Sequence, residues 1–221
     1  QSGLLQMIAS SGKPVAVVLL NGRPLVLEEE SMAADAILEA WYPGTMGAEA
    51  VTDLIFGQYN PSGKLTMTFP KNVGQIPIYY AAKNTGRPLL EGRWFEKFRS
   101  NYLDVDNDPL YPFGYGLSYT TFEYGPVTLN AKEIEAGETV KAEVVVRNTG
   151  KVAGKEVVQM YIHDVVGSTT RPVRELKGFE KIYLEAGESR AVTFEITPEL
   201  LSHYNSELKF VAEPGEFIIF V

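Results

Sequence analysis

The sequence predicts two architectures in series, an α/β portion over residues 1 to 125 and an all-β sandwich over residues 126 to 221. Three observations carry this reading. Up to Gly57, helix-like and strand-like stretches alternate, as in layered α/β proteins. After Gly125 the texture changes to short alternating strands separated by turns containing Gly or Pro. Between them runs a long irregular segment rich in Asn, Gly, Pro and Tyr, too long for an ordinary connection and so expected to pack against something.

Taken in order, residues 4 to 10 (LLQMIAS) read as the end of an amphipathic helix that Gly12 can stop. "PVAVVLL" is a continuous apolar run with β-branched residues, the pattern of a strand buried on both faces of a parallel sheet. "EEESMAADAILEA" opens with acids and Ala and should begin as helix, with "AILEAWY" as the next strand. "TMGAEAVTDLIFG" sets Val51, Leu54 and Ile55 on one side of a helix that ends at Gly57. These elements are too few for a full doubly wound sheet. In the second half, "TVKAEVVVRN", "KEVVQMYIHDV", "RELKGFEKIYL", "SRAVTFEI", "ELKFVAE" and "EFIIFV" read as strands, the signature of a β-sandwich such as the fibronectin type III group. "EAGE" occurs at 135 and again at 185, each copy turning into an alternating strand.

Composition narrows the function. The 45% hydrophobic content is that of a globular protein, and a net charge of -8 argues against nucleic acid or anionic membrane as a partner. With no cysteine there is no disulfide framework and no thiol nucleophile, and the sequence contains no apolar run long enough to span a membrane. The opening residues have neither an initiator Met nor the features of a signal peptide, and the last ones, "GEFIIFV", stop on a strand-like run. Both ends suggest a chain cut from a longer one.

Each chemical motif has a plain structural counterpart. "GQYNPSGK" has the wrong spacing for a phosphate loop, and Leu65 stands where magnesium would need a hydroxyl. Asp104, Asp106 and Asp108 share the spacing of a calcium loop, but Pro109 and Tyr115 occupy the positions that need Gly and a bidentate Glu, leaving an acidic turn as the expectation. His163 and His203 lack a recognisable nucleophile elbow and read as structural. Asp53, Glu91 and Asp104 are conceivable members of a carboxylate pair, though acids are plentiful and abundance selects none. The aromatic run "PLYPFGYGLSYTTFEYG" suits either a tightly packed corner or a sugar-facing surface.

Longer motifs carry a resemblance. "WYPGTMGAEAVTDLIFGQYNPSGKLTMTFP", "VGQIPIYYAAKNTGRP" and "PLYPFGYGLSYTTFEY" resemble the C-terminal portion of glycoside hydrolase family 3, the periplasmic β-glucosidase type. "VVVRNTGKVAGKEVVQMYIHD" and "RPVRELKGFEKIYLEAGES" resemble the fibronectin type III-like domain that closes those enzymes. The resemblance implies a truncated α/β sandwich domain followed by a fibronectin type III-like β-sandwich, preceded in the parent protein by a (β/α)8 barrel. It further implies a retaining, exo-acting β-glucosidase acting in the periplasm or outside the cell on a β-glucoside or related oligosaccharide.

The family's nucleophilic Asp lies in the barrel and its acid/base Glu in an early loop of the α/β domain, so neither maps onto this chain. The expectation is a structural, inactive portion with no catalytic residue, no cofactor and no metal ion. A free-standing carbohydrate- or protein-binding module is the alternative. By the same resemblance Tyr111, Phe113, Tyr115 and Tyr119 pack the junction of the two domains, with Gly114 and Gly116 permitting the turn. Asn84, Arg87 and Tyr102 have donors suited to sugar hydroxyls and are the candidate substrate contacts.

Overall fold

A computed structural model describes residues 2–89, 93 and 95–221. Helix α1 (Ser2–Ala9) ends before Gly12, whose φ of 72° is the left-handed turn that the reading expected of a stop signal. Strand β1 (Ala16–Leu19), helix α2 (Glu28–Ala33) and strand β2 (Ala36–Glu39) follow, and β1 and β2 pair in parallel with Ala16 opposite Ala36. The strand expected over "AILEAWY" stops at Glu39, because Trp41 turns to a φ of 49° and the Glu39 carboxylate accepts the Trp41 amide. Helix α3 (Gly47–Ile55) ends two residues before Gly57, at a φ of 72°.

Among its described residues the irregular middle holds one 3-10 turn, Val73–Gln75, capped by Asn72. Its backbone is nonetheless paired. Leu65 and Gly114 bond across to each other's neighbourhood through Leu65 N to Tyr115 O at 2.8 Å and Gly114 N to Leu65 O at 2.7 Å. Phe69 N then meets Tyr111 O at 2.9 Å. Residues 65 to 69 are therefore half of a broken antiparallel ladder rather than a regular strand.

The second half is a β-sandwich of strands β3 (Phe122–Tyr124), β4 (Thr128–Leu129), β5 (Val140–Asn148), β6 (Gly154–Asp164), β7 (Glu175–Leu184) and β8 (Ser189–Ile196). The one-turn helix α4 (Pro198–Leu201), the short pair β9 (His203–Tyr204) and β10 (Phe210–Val211), and strand β11 (Phe217–Phe220) complete it. One sheet joins β8 along one edge of β5 to β3 and β4 along the other, and the opposing sheet runs β11-β6-β7. The strand expected over "ELKFVAE" is reduced to β10. Asn205 organises residues 205 to 209 into a turn by accepting the amides of Glu207 and Lys209 on its side chain, and Leu208 adopts a φ of 60°.

Period-2 alternation places Val140, Ala142, Val144 and Val146 of β5 against Val158, Met160 and Ile162 of β6, with Ile182, Leu184, Val192, Phe194 and Ile196 closing the same core. Each of these side chains except Ala142 contributes about 1.5–3 kcal/mol on full burial. At the rim of that core Asn148 is wholly buried and spends its entire amide. Its oxygen accepts the Thr120 hydroxyl at 2.6 Å and the Gly150 amide at 3.0 Å, and its nitrogen donates to Val152 O at 2.9 Å and Leu184 O at 3.1 Å.

The chain divides into two compact units that differ from a simple cut in sequence. The first comprises Gln1–Asn60, Leu65–Ile78 and Leu89–Tyr115, and the second Pro61–Lys64, Tyr79–Pro88 and Gly116–Val221.

Candidate functional site

Asn84 and Arg87 lie together on the segment Tyr79–Pro88 of the second unit, both exposed. The Asn84 side-chain oxygen accepts the Gly86 amide at 2.8 Å, and Gly86 sits at a φ of 84° that a side chain would strain, so a local turn presents Arg87 outward. The segment is held from beneath. Lys83 forms an antiparallel bridge with Pro172, and the Val173 amide donates to Ala82 O at 2.9 Å.

Tyr102 belongs to the first unit. Its hydroxyl donates to Gln75 O at 3.2 Å. Gln75 is itself fully buried and organises the acidic turn, donating to the carbonyls of Asp106 at 3.0 Å and Asp108 at 3.1 Å. The Asp106 carboxylate is taken by Lys71 at 2.8 Å, whereas Asp104 is exposed. Among the described residues no group of three or more His, Asp or Glu is placed to share a metal ion. Of the carboxylate candidates, Asp53 lies half-buried on α3 and Glu91 lies outside the described residues.

The aromatic run packs locally in ways its spacing did not reveal. Tyr111 stacks on Tyr115 with ring centroids 5.3 Å apart, and its edge meets Phe69 at 6.4 Å, which in turn contacts Trp41 at 5.8 Å. Phe69 is the buried centre of this group in the first unit. Phe113 is half-buried, and Tyr119, in the second unit, is exposed. Gly116 has no room for a side chain, since a Cβ there would stand 2.5 Å from Gly63 O.

Two ionic clusters in the second unit escaped sequence reasoning. The core-facing phase of β6 carries Glu156 as its second member, after Gly154, and ends with Asp164, and charges in that phase were the available signal. Lys64 reaches Glu156 at 2.9 Å and also donates to Gly116 O at 2.9 Å, while the Tyr124 hydroxyl donates to Glu156 at 3.0 Å. Burial, then the carboxylate beside it, pushes the Tyr124 phenol well above its ordinary range.

At the other end Arg171 donates to Glu175 at 2.6 Å and faces Asp164 at 3.5 Å. His203 is buried with Asp164 3.9 Å from Nδ1 and Glu213 3.7 Å from Nε2. Glu213 accepts both the hydroxyl and the amide of Ser168, and these two bonds hold its carboxyl below the ordinary carboxylate value. His163, on the outer phase of the same strand, is half-buried and paired with Ile218.

Residues 1–119 match the model of the glycosyl hydrolase family 3 C-terminal domain, and residues 156–221 match that of the fibronectin type III-like domain. The whole chain aligns at 51% identity with 29% of the periplasmic beta-glucosidase of Salmonella typhimurium, and at 46% identity with 30% of a beta-xylosidase of Formosa agariphila. The crystal structure of a beta-glucosidase from Listeria innocua, solved in complex with glucose, superimposes with a TM-score of 0.94 at 48% identity over 99% of this chain and 30% of that one. The chain thus spans under a third of the length of the relatives it matches.

Proposed function

Because the chain belongs to glycoside hydrolase family 3, we propose that it is the C-terminal portion of a retaining, exo-acting β-glucosidase of the periplasm or the cell exterior. The observation that carries this is the alignment of all 221 residues with proteins more than three times as long, among them a periplasmic beta-glucosidase. In this reading the nucleophilic Asp and the acid/base Glu both lie upstream, and the 221 residues alone are structural and inactive. Retention needs two carboxyls about 5–5.5 Å apart, one to attack the anomeric carbon and one to protonate the leaving oxygen. Exposed apolar side chains on the first helices, including Leu4 at 58% and Met7 at 65%, support a larger parent in which they are covered.

The sugar-facing roles of Asn84, Arg87 and Tyr102 belong to this proposal, as do the domain boundary near residue 125 and the junction role of Tyr111, Phe113, Tyr115 and Tyr119. Two exposed donors on a turn held from beneath suit Asn84 and Arg87 to a substrate's leaving-group side. Tyr102, whose hydroxyl already serves Gln75 O, would have to offer its ring or its free lone pair. A free-standing carbohydrate- or protein-binding module is the competing reading.

The test is an aryl β-glucoside assay on the 221-residue chain and on the longer protein that contains it. The chain alone should stay at background, and the longer protein should release glucose with retained anomeric configuration. Turnover by the chain that survives repurification and disappears on changing one of its own carboxylates would refute the reading.

A further inference from the structure

The segment Tyr79–Pro88 is laid on a loop of the β-sandwich, residues 165 to 174, that is fastened at several points. Val165 N donates to Glu216 O at 3.0 Å, the Ser168 hydroxyl and amide donate to Glu213, and the Thr169 hydroxyl donates to Tyr204 O at 3.4 Å. The Arg171 side chain then turns inward with 16% of its surface exposed. It is fixed by Glu175 at 2.6 Å and faced by Asp164 at 3.5 Å, whose own side chain keeps only 7% exposure. A Cβ on Gly167 would stand 2.9 Å from Arg171 Cγ, so the loop closes tightly over the arginine stem.

The two residues after Arg171 are those that meet the segment, Pro172 through its bridge to Lys83 and Val173 through its amide to Ala82 O. Asn84, whose turn presents Arg87, is the next residue along. A buried guanidinium is therefore coupled, through two residues of backbone on each side, to the pair of exposed donors assigned to the substrate.

We propose that Arg171 is a positioning residue for the glycosidase: by anchoring the loop on which residues 79 to 88 lie, it fixes where Asn84 and Arg87 meet the leaving group of a β-glucoside. The β-sandwich then contributes to leaving-group discrimination without touching substrate. This rests on the substrate role proposed above for Asn84 and Arg87. The forked, planar guanidinium explains why arginine rather than lysine serves here, since one end bonds Glu175 at the start of β7 while Nε faces Asp164 at the end of β6 as an ion pair without a hydrogen bond.

Hydrogen exchange on the 221-residue chain and kinetics on the longer enzyme test it together. Arg171→Ala should speed exchange of the Val173 amide by about tenfold or more while amides in the middle of β5 and β6 keep their protection. Across a series of aryl β-glucosides, the same variant should narrow the spread of kcat/KM between good and poor leaving groups by about threefold to tenfold. Arg171→Lys should restore part of both effects, and Arg87→Ala should add little once Arg171 is gone.

Unchanged Val173 exchange in Arg171→Ala overturns the positioning role. Faster exchange with unaltered leaving-group discrimination, in Arg171→Ala and Arg87→Ala alike, leaves the anchoring intact and removes the substrate role on which the proposal rests. Should Arg171→Ala fail to fold, Val173→Pro deletes the amide that Ala82 O accepts and leaves the ionic groups in place. Residue 173 then has no amide to exchange, so leaving-group discrimination decides, and discrimination unchanged in a folded Val173→Pro enzyme counts against the proposal.

Discussion

In the β-sandwich Leu184 and Val146 have no exposed surface, whereas in α1 Leu4, Met7 and Ile8 leave 58%, 65% and 47% of theirs to solvent. Strands β5 and β8 find their opposing layer in β6 and β7, and the alternation along each strand is satisfied inside one unit. In the first unit the fully buried apolar side chains among the described residues are Leu27, Phe69 and Pro70, and α1 and α2 bury nothing. A correct helical or strand period is thus enough to form an element, but a dry core needs a second layer to receive the apolar face.

The largest expected effect separates those two regions. Leu184→Ala should cost about 3–4 kcal/mol, the transfer loss plus the cavity left in a packed site, while Met7→Ala should stay within about 0.5 kcal/mol. Urea unfolding of the two variants checks it, and equal losses would erase the contrast between a cored and an uncored region.

The same contrast holds for charges. Lys64 and Glu156 keep 16% and 9% side-chain exposure, so Lys64→Ala should cost about 3 kcal/mol by leaving a buried carboxylate without its counter-charge, held by the Tyr124 hydroxyl alone. Lys141 and Glu195 keep 57% and 63%, and Lys141→Ala should cost under about 0.5 kcal/mol. Replacing both Lys64→Met and Glu156→Leu should recover much of the loss. A double variant as weak as Lys64→Ala would mean that packing around the lysine stem, rather than the orphaned charge, sets the cost.

The smallest effect is one of slope. The Ser168 hydroxyl and amide depress the Glu213 carboxyl below its ordinary value of 4.5. A depressed carboxyl stabilises the fold fully above that ordinary value and loses its contribution as the pH falls through the lower folded value. Parent and Glu213→Gln should therefore differ in thermal midpoint at neutral pH and converge below pH 4.5. A gap independent of pH would show that the bond to Ser168 does not depend on ionisation.

Legibility in the sequence followed the same division. "TVKAEVVVRN" and "SRAVTFEI" became β5 and β8 within a residue of their expected ends, because period 2 and burial agree there. "ELKFVAE" shrank to Phe210–Val211 because Asn205 draws Glu207 and Lys209 into its turn, a side-chain effect that hydrophobic alternation does not register.

The candidate site was legible only in part. Asn84, Arg87 and Tyr102 are proposed from their donors and their place before the aromatic run, and the fold sets the first two on one exposed turn and Tyr102 apart, on Gln75 O. Arg171, Asp164 and Lys64 were missed because their partners are remote in sequence, and only the acids in the inward phase of β6 hinted at them. Phe69, the buried centre of the aromatic group, was hidden for the same reason, since Trp41 and Tyr111 come from stretches far apart in the chain.

Asn148 carries a consequence for natural variation. Aspartate there would lose the two donors that serve Val152 and Leu184, glutamine would overshoot by a methylene, and any apolar residue would strand two carbonyls and the Thr120 hydroxyl. Gly150 is bound to the same choice, because a Cβ at that position would collide with Thr120 Oγ1. Homologous chains that keep this sandwich should therefore drift freely at the exposed turn positions 206, 207 and 209 while holding the pair 148 and 150 unchanged, and a lineage that altered one would have to alter Thr120 with it.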